Sequence, residues 1–355
     1  MTTPLKDILI EQITASGPIT LADYMAQCLM HPVHGYYQKE HVFGADGDFI
    51  TAPEISQMFG EMTGLWLADR WIKMGKPNPV HLVELGPGRG TLMADMLRAI
   101  SPVEGFENAV NVHFIETSKQ LRTLQREKVP NATWHDTLAT VPDGPSLIIA
   151  NEFFDALPLH QFEKHKGDWL ERRVNVEGET FSLVLTAPSA KLALTPNELR
   201  KSPEGSVIEV CPAALSITGD IADRIASHGG AALIIDYGYR KSAVGDTFQA
   251  MKDHRFTDPL TEPGKADITA HVAFDQLKKA AEEKGTSTAG PAAQGMFLMA
   301  LGLGARAQQL SDTLDPIGQQ RILSELKRLT ASDEMGTLFK VLAVQHPELP
   351  PAPGF

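Results

Sequence analysis

A chain of 355 residues, 43% hydrophobic and 21% charged, is long enough to bury one elaborated core or two. Its 32 Lys and Arg against 44 Asp and Glu give a net charge of −12, which argues against nucleic acid, and no run of eighteen apolar residues offers a membrane span. Only Cys28 and Cys211 are present, which points to a reducing compartment and leaves no cysteine zinc framework.

The opening MTTPLKDILIEQ lacks the basic and apolar regions of a signal peptide. It also carries acids that an organellar transit peptide avoids, so the expected location is the cytoplasm. Leu5, Ile8, Leu9 and Ile13 fall at helical spacing up to Gly17-Pro18, and Thr20 can cap a second helix through Met30. After a Gly- and aromatic-rich loop, Thr51-Ala-Pro53-Glu54 reads as a capping box opening one helix that carries Ile55, Met58, Phe59, Met62, Trp66 and Ile72 and ends near Gly75. Residues 1–78 therefore form a helical N-terminal extension.

Strands and helices then alternate, at Val80 to Leu85, Thr91 to Ile100, Asn111 to Glu116, Ser118 to Lys128, a short strand near Ala132 to Trp134, and SLIIAN at Ser146 to Asn151. ALIID, ending at Asp236, is a further buried strand. This is βαβ logic: an α/β fold with a mostly parallel sheet and helices on both faces. Residues 79–157 are the first part of that core and 158–211 an insertion. The insertion holds a hairpin turning at Glu177-Gly178. Residues 212–346 supply the rest, beginning with a helix from Pro212 to Ser227 and including helices in HVAFDQLKKAAEEKG and GQQRILSELKRL and a late strand in MGTLFKVLAV. The Pro-rich end, 347–355, is expected to be disordered.

VELGPGRGTL carries the chemistry. Gly86, Gly88 and Gly90 recur at every second position after a buried strand, with Glu84 two residues ahead of them. Without Cβ atoms the backbone can approach a ligand. A dinucleotide dehydrogenase would show G-x-G-x-x-G, and a triphosphate site would carry a Walker lysine; neither is present. Glu116, at the end of the next strand, can accept both hydroxyls of a ribose.

Together these parts resemble the S-adenosylmethionine site of class I methyltransferases. The resemblance implies a Rossmann-like fold with a seven-stranded sheet. In it the glycine turn passes under the methionyl part, Glu116 holds the ribose, and Asp136 of WHDTL flanks adenine. A narrower resemblance spans nearly the whole chain. HPVHGYY, GDFITAPEISQMFGE, ELGPGRGTL, NEFFDALP, IDYGY, GKADITAHVAF and MGTLFKVLAV are similar, in order, to the blocks of the MidA-like methyltransferase family, which includes a mitochondrial complex I assembly factor. That resemblance implies methylation of a protein arginine, in the setting of complex I assembly; in the mitochondrial case the product is symmetric dimethylarginine.

An arginine acceptor needs carboxylates to orient its guanidinium. Asn151, which ends the strand SLIIAN, and Glu152 and Asp155 just after it are the candidates. Asp46 and Asp48 lie in a glycine-rich loop that suits a lid, and the resemblance raises Asp48, Phe49 and Thr51 as cofactor or substrate contacts. Asp236 and Tyr237 are expected to face the same cleft. Tyr36 and Tyr37 read as core packing, and His31, His34 and His41 do not form a metal set. The expected partner is a protein with an accessible arginine, and a homodimer is left open. A non-catalytic S-adenosylmethionine-binding assembly chaperone and, behind it, an NAD-dependent oxidoreductase are the rival readings.

Overall fold

The computed structural model describes residues 3–38 and 51–355. Two compact units emerge from the packing: residues 1–49, 155–216 and 241–271 in one, and residues 50–154, 217–240 and 272–355 in the other. The expected five-segment division does not follow this boundary. The stretch 1–78 does not form one extension, because its last helix belongs to the sheet unit, and 241–271 joins the unit of the 158–211 insertion. Such groupings depend on contacts far apart in sequence, which local patterns do not carry.

The larger unit is built on seven strands: β1 (Val80–Leu85), β2 (Val110–Ile115), β3 (Thr133–His135), β4 (Ser146–Asn151), β5 (Gly230–Tyr239), β6 (Ser287–Ala293) and β7 (Phe339–Gln345). Their spatial order is β6-β7-β5-β4-β1-β2-β3. β1 to β5 pair in parallel, and β7 runs antiparallel to both its neighbours. Val272–Ala273 adds a short parallel pair along the end of β5. This is the Rossmann-like, mostly parallel seven-stranded sheet that the resemblance implied, with β1 and β4 as fully buried central strands. Trp66, Trp71, Phe59, Phe106 and Met96 fill the core beside them.

The single helix expected after Thr51 is two. Ala52–Ile55 ends at Ser56, whose backbone is extended at φ −157° and whose Oγ accepts from Met58 N at 3.2 Å. Ser56 thus caps a new helix, Gln57–Lys73. The expected capping box does not form. Thr51 makes no side-chain cap bond, and Glu54 Oε1 instead accepts from Thr91 Oγ1 at 2.6 Å.

The tail is ordered rather than disordered. Arg70, itself buried, donates to the Pro350 carbonyl at 2.8 Å, and Trp66 Nε1 donates to the Pro353 carbonyl at 3.1 Å. Proline lacks an N–H but keeps a carbonyl, so a Pro-rich segment can cover buried donors while adding few of its own.

Across β1, β2 and β3 runs a row of three imidazoles. His81 Nδ1 lies 2.9 Å from His113 Nε2, and His113 Nδ1 lies 2.9 Å from His135 Nε2. His135 Nδ1 reaches Thr140 Oγ1 at 2.9 Å, and that hydroxyl donates to Thr137 O. Burial, reinforced by the neighbouring charges, lowers the His113 pKa to about 4.

The smaller unit carries helices Pro4–Ser16 and Leu21–Met30. Thr20 caps the second, accepting from Asp23 N at 3.0 Å. They pack with a five-stranded sheet containing the expected hairpin, Asp168–Glu177 with Thr180–Thr186. Leu9, Ile13, Tyr24, Phe181 and Ile268 form its core. Among the described residues no helix is long and apolar enough to cross a membrane.

Candidate functional site

The glycine turn follows β1. Gly86, Gly88 and Gly90 adopt φ of 62°, 51° and 77°, in the left-handed region that side chains disfavour. A Cβ on Gly86 would stand 2.8 Å from Phe153 Cδ2. The turn is therefore glycine by conformation and, at Gly86, by space. Gly90 opens the helix Thr91–Ile100.

Under the turn lies Glu84, the fifth residue of β1. It is buried, its Oε2 has no hydrogen-bond partner among the described residues, and burial pushes its carboxyl up to about 8. A buried carboxyl with an idle oxygen takes either a proton or a cation. On the neighbouring β4, Asn151 is also buried, and among the described residues its Oδ1 has no hydrogen-bond partner.

Glu116 follows β2 directly. Its Oε1 accepts from Ser118 N at 2.7 Å and its Oε2 from Gln125 Nε2 at 3.1 Å, while burial raises its pKa. Each carboxylate oxygen keeps acceptor capacity for a further donor. Arg122 Nε donates to the Glu116 carbonyl at 2.8 Å and its Nη2 to Asp136 Oδ1 at 2.5 Å. Asp136, exposed, is thereby tethered beside Glu116.

At the tip of β4, Glu152 holds φ +50°, a conformation that costs a non-glycine residue about 1–2 kcal/mol and recurs where geometry serves function. Its Oε1 accepts from Ala52 N at 2.9 Å and from Asn151 Nδ2 at 3.0 Å. The turn is stapled by buried Asp236, at the position on β5 expected to face the cleft. Its Oδ2 accepts from Phe153 N at 3.2 Å and Phe154 N at 2.9 Å, and its Oδ1 from Tyr237 N at 2.9 Å. Asp236 therefore turns toward the backbone it fixes.

The other expected site residues fall as follows. Thr51, half-buried, precedes Ala52, the donor to Glu152. Asp155 belongs to the smaller unit, where its carbonyl accepts from Ala270 N at 3.0 Å. Tyr36 and Tyr37 pack in that same unit, Tyr36 in its core. His31 Nδ1 serves as acceptor for Val33 N and His34 N. Asp46, Asp48, Phe49 and His41 lie outside the described residues. The sequence reading missed Gln125, which touches the glycine turn and Glu116 at once, and the bond from Ala52 to Glu152. Neither leaves a pattern that a local reading can find.

Three left-handed glycines, an idle buried carboxyl oxygen and a strand-tip carboxylate with lone pairs to spare suit a cationic nucleoside. They fit S-adenosylmethionine, whose sulfonium and ammonium are positive and whose ribose offers two hydroxyls.

Known proteins agree. Residues 62–292 match the profile of a family described as "Putative S-adenosyl-L-methionine-dependent methyltransferase". The zebrafish (Danio rerio) mitochondrial protein arginine methyltransferase NDUFAF7 is 37% identical, covering 95% of this chain and 85% of the relative. The Drosophila melanogaster homologue is 39% identical over 94% of this chain and 83% of its own. The human protein is 37% identical over 96% and 83%. A Burkholderia thailandensis protein crystallised with S-adenosyl-homocysteine superposes with a TM-score of 0.85 at 27% identity, covering 99% of this chain and 93% of its own. The mitochondrial names of these relatives overturn the cytoplasmic expectation. A low cysteine count marks a reducing environment and does not tell one such compartment from another.

Proposed function

From the family to which this chain belongs, the S-adenosyl-L-methionine-dependent methyltransferases, we propose that it methylates arginine of a protein substrate, a respiratory complex I subunit being the candidate target. The arginine-methyltransferase names of its relatives and the matched sequence blocks support this reading. The observation that carries it is the strained Glu152 at the tip of β4, beside the idle Asn151 Oδ1 and one strand over from the glycine turn.

When bound, the cofactor supplies an electrophilic methyl group. The chain's own residues position the reactants. Glu84 faces the cofactor's positive charge, Gly86, Gly88 and Gly90 let it approach, Glu116 takes the ribose hydroxyls, and Asp136 and Thr51 flank the site. Glu152 orients the guanidinium and draws its charge away from the attacking nitrogen, with Asn151 adding an acceptor. Asp155 is a second carboxylate of the same segment; Asp48, ahead of Thr51, stays in the proposal as a cofactor contact.

Mass spectrometry of proteomes with and without the gene tests the activity. A methylarginine mark should vanish and return when the wild-type gene is restored. A proteome in which no methylated peptide changes would leave a cofactor-binding chaperone as the better reading.

Glu84 gives a pH signature. Its folded carboxyl sits near 8, above the unfolded carboxylate range, so the apoprotein's stability from this group is full below about pH 4 and is lost as pH rises through about 8. The cofactor's sulfonium and ammonium prefer the ionised form, so affinity for S-adenosylmethionine should climb by up to about tenfold per pH unit below that value. Calorimetry from about pH 6 to 8.5 should show this rise in wild type and a flat profile in Glu84→Gln. Equal slopes in the two proteins would remove Glu84 from the site.

A further inference from the structure

Gln125 is fully buried in the helix Lys119–Lys128 and touches three separate segments. Its Nε2 donates to the Gly88 carbonyl at 2.8 Å and to Glu116 Oε2 at 3.1 Å. Its Oε1 accepts from Trp134 Nε1 at 2.7 Å. An indole N–H can only donate, so it fixes which end of the amide is oxygen. Both amide hydrogens are then committed, one to the glycine turn and one to the carboxylate at the tip of β2. Trp134 on β3 is itself braced by Arg126, whose guanidinium lies 4.4 Å from the ring centroid.

We propose that Gln125 is a positioning residue. By joining the Gly88 carbonyl to the Glu116 carboxylate, it sets the spacing between the two halves of the nucleoside grip, and it acts on cofactor affinity through Glu116. This rests on reading Glu116 as the ribose carboxylate. Without the amide, Glu116 loses a buried donor and can swing or take up a proton. The glycine turn loses the side-chain anchor on its Gly88 carbonyl. The groups facing Glu116 that would respond are Ser118 N, Arg122 and, through Arg122, Asp136.

Binding of S-adenosyl-homocysteine to the full chain tests this, by calorimetry on wild type, Gln125→Met, Glu116→Ala and the double variant. Gln125→Met keeps the length and removes the donors. It should weaken affinity about 10- to 50-fold, while kcat at saturating cofactor stays within about twofold. Because it acts through Glu116, the double variant should bind within about threefold of Glu116→Ala alone.

Gln125→Glu adds a pH readout. Relative to wild type at the same pH, it should bind at least about tenfold more weakly near pH 8.5 and recover at least about threefold of that loss near pH 6, where a proton shared with Glu116 restores one of the two hydrogen bonds. Thermal unfolding of each apoprotein separates loss of folding from loss of binding, and if Gln125→Met does not fold, the pH comparison decides. Wild-type affinity in Gln125→Met, losses that add fully to those of Glu116→Ala, or a pH-independent deficit in Gln125→Glu overturns the proposal. Full affinity in Glu116→Ala instead defeats the ribose reading and the proposal with it.

Discussion

Glu152→Gln is expected to lower kcat for methyl transfer by about 10²- to 10³-fold while leaving affinity for S-adenosyl-homocysteine within about threefold. The side chains are nearly isosteric, so the effect isolates charge. Glu152 Oε1 already accepts from Ala52 N and Asn151 Nδ2, and an amide oxygen can keep both bonds. What glutamine cannot do is balance a guanidinium, and its second terminus becomes a donor facing a cation. The backbone should not move, because Asp236 holds the amides of Phe153 and Phe154 whichever residue precedes them. Steady-state kinetics on the peptide that loses its mark, with calorimetry in parallel, measures both quantities. A kcat within threefold of wild type would remove Glu152 from the chemistry.

Gly86→Ala should weaken cofactor binding by about 100-fold. Two costs combine. The φ of +62° charges alanine about 1–2 kcal/mol, and the new methyl would sit 2.8 Å from Phe153 Cδ2. Phe153 precedes Phe154 in the turn that Asp236 fixes, so relief comes by shifting the glycine turn and thereby the surface offered to the cofactor. Gly17→Ala is the control: its φ is +84°, and among the described residues nothing beyond its chain neighbours lies within 4 Å of the added carbon. Its ψ of −176° lies in a region open almost only to glycine, so it should carry at least as large a backbone cost in thermal unfolding and keep cofactor affinity. If both variants bind as wild type does, the glycine turn is a folding requirement and not a ligand surface.

How much could be read from sequence follows from the range of the forces involved. β1, β4 and the helix Thr91–Ile100 lie where expected because each is a continuous apolar or amphipathic run bounded by Gly, Pro or Asn. The ligand class was legible because three glycines and two acids fall within two βα units. The helix break at Ser56 was not, since the apolar period continues through it and only the Ser56 backbone interrupts it. The tail misled because proline-rich composition signals disorder, whereas Arg70 and Trp66 need carbonyl acceptors that the tail supplies. Gln125 was invisible for a related reason. A buried amide and a solvated one look alike on an amphipathic helix until Gly88, Glu116 and Trp134 are seen around it. Glu152 was read for its charge, while its left-handed backbone emerges only from the fold.

The three aligned histidines tie β1, β2 and β3 together through one hydrogen-bonded row. With the Thr140 hydroxyl given to Thr137 O, His135 must donate to Thr140, His113 to His135 and His81 to His113. No ring can change tautomer alone. Burial lowers the pKa of all three rings, and a proton added to any one disturbs the bonds of the others. Their titration belongs to the row, and so does any loosening of the sheet that follows it in acid.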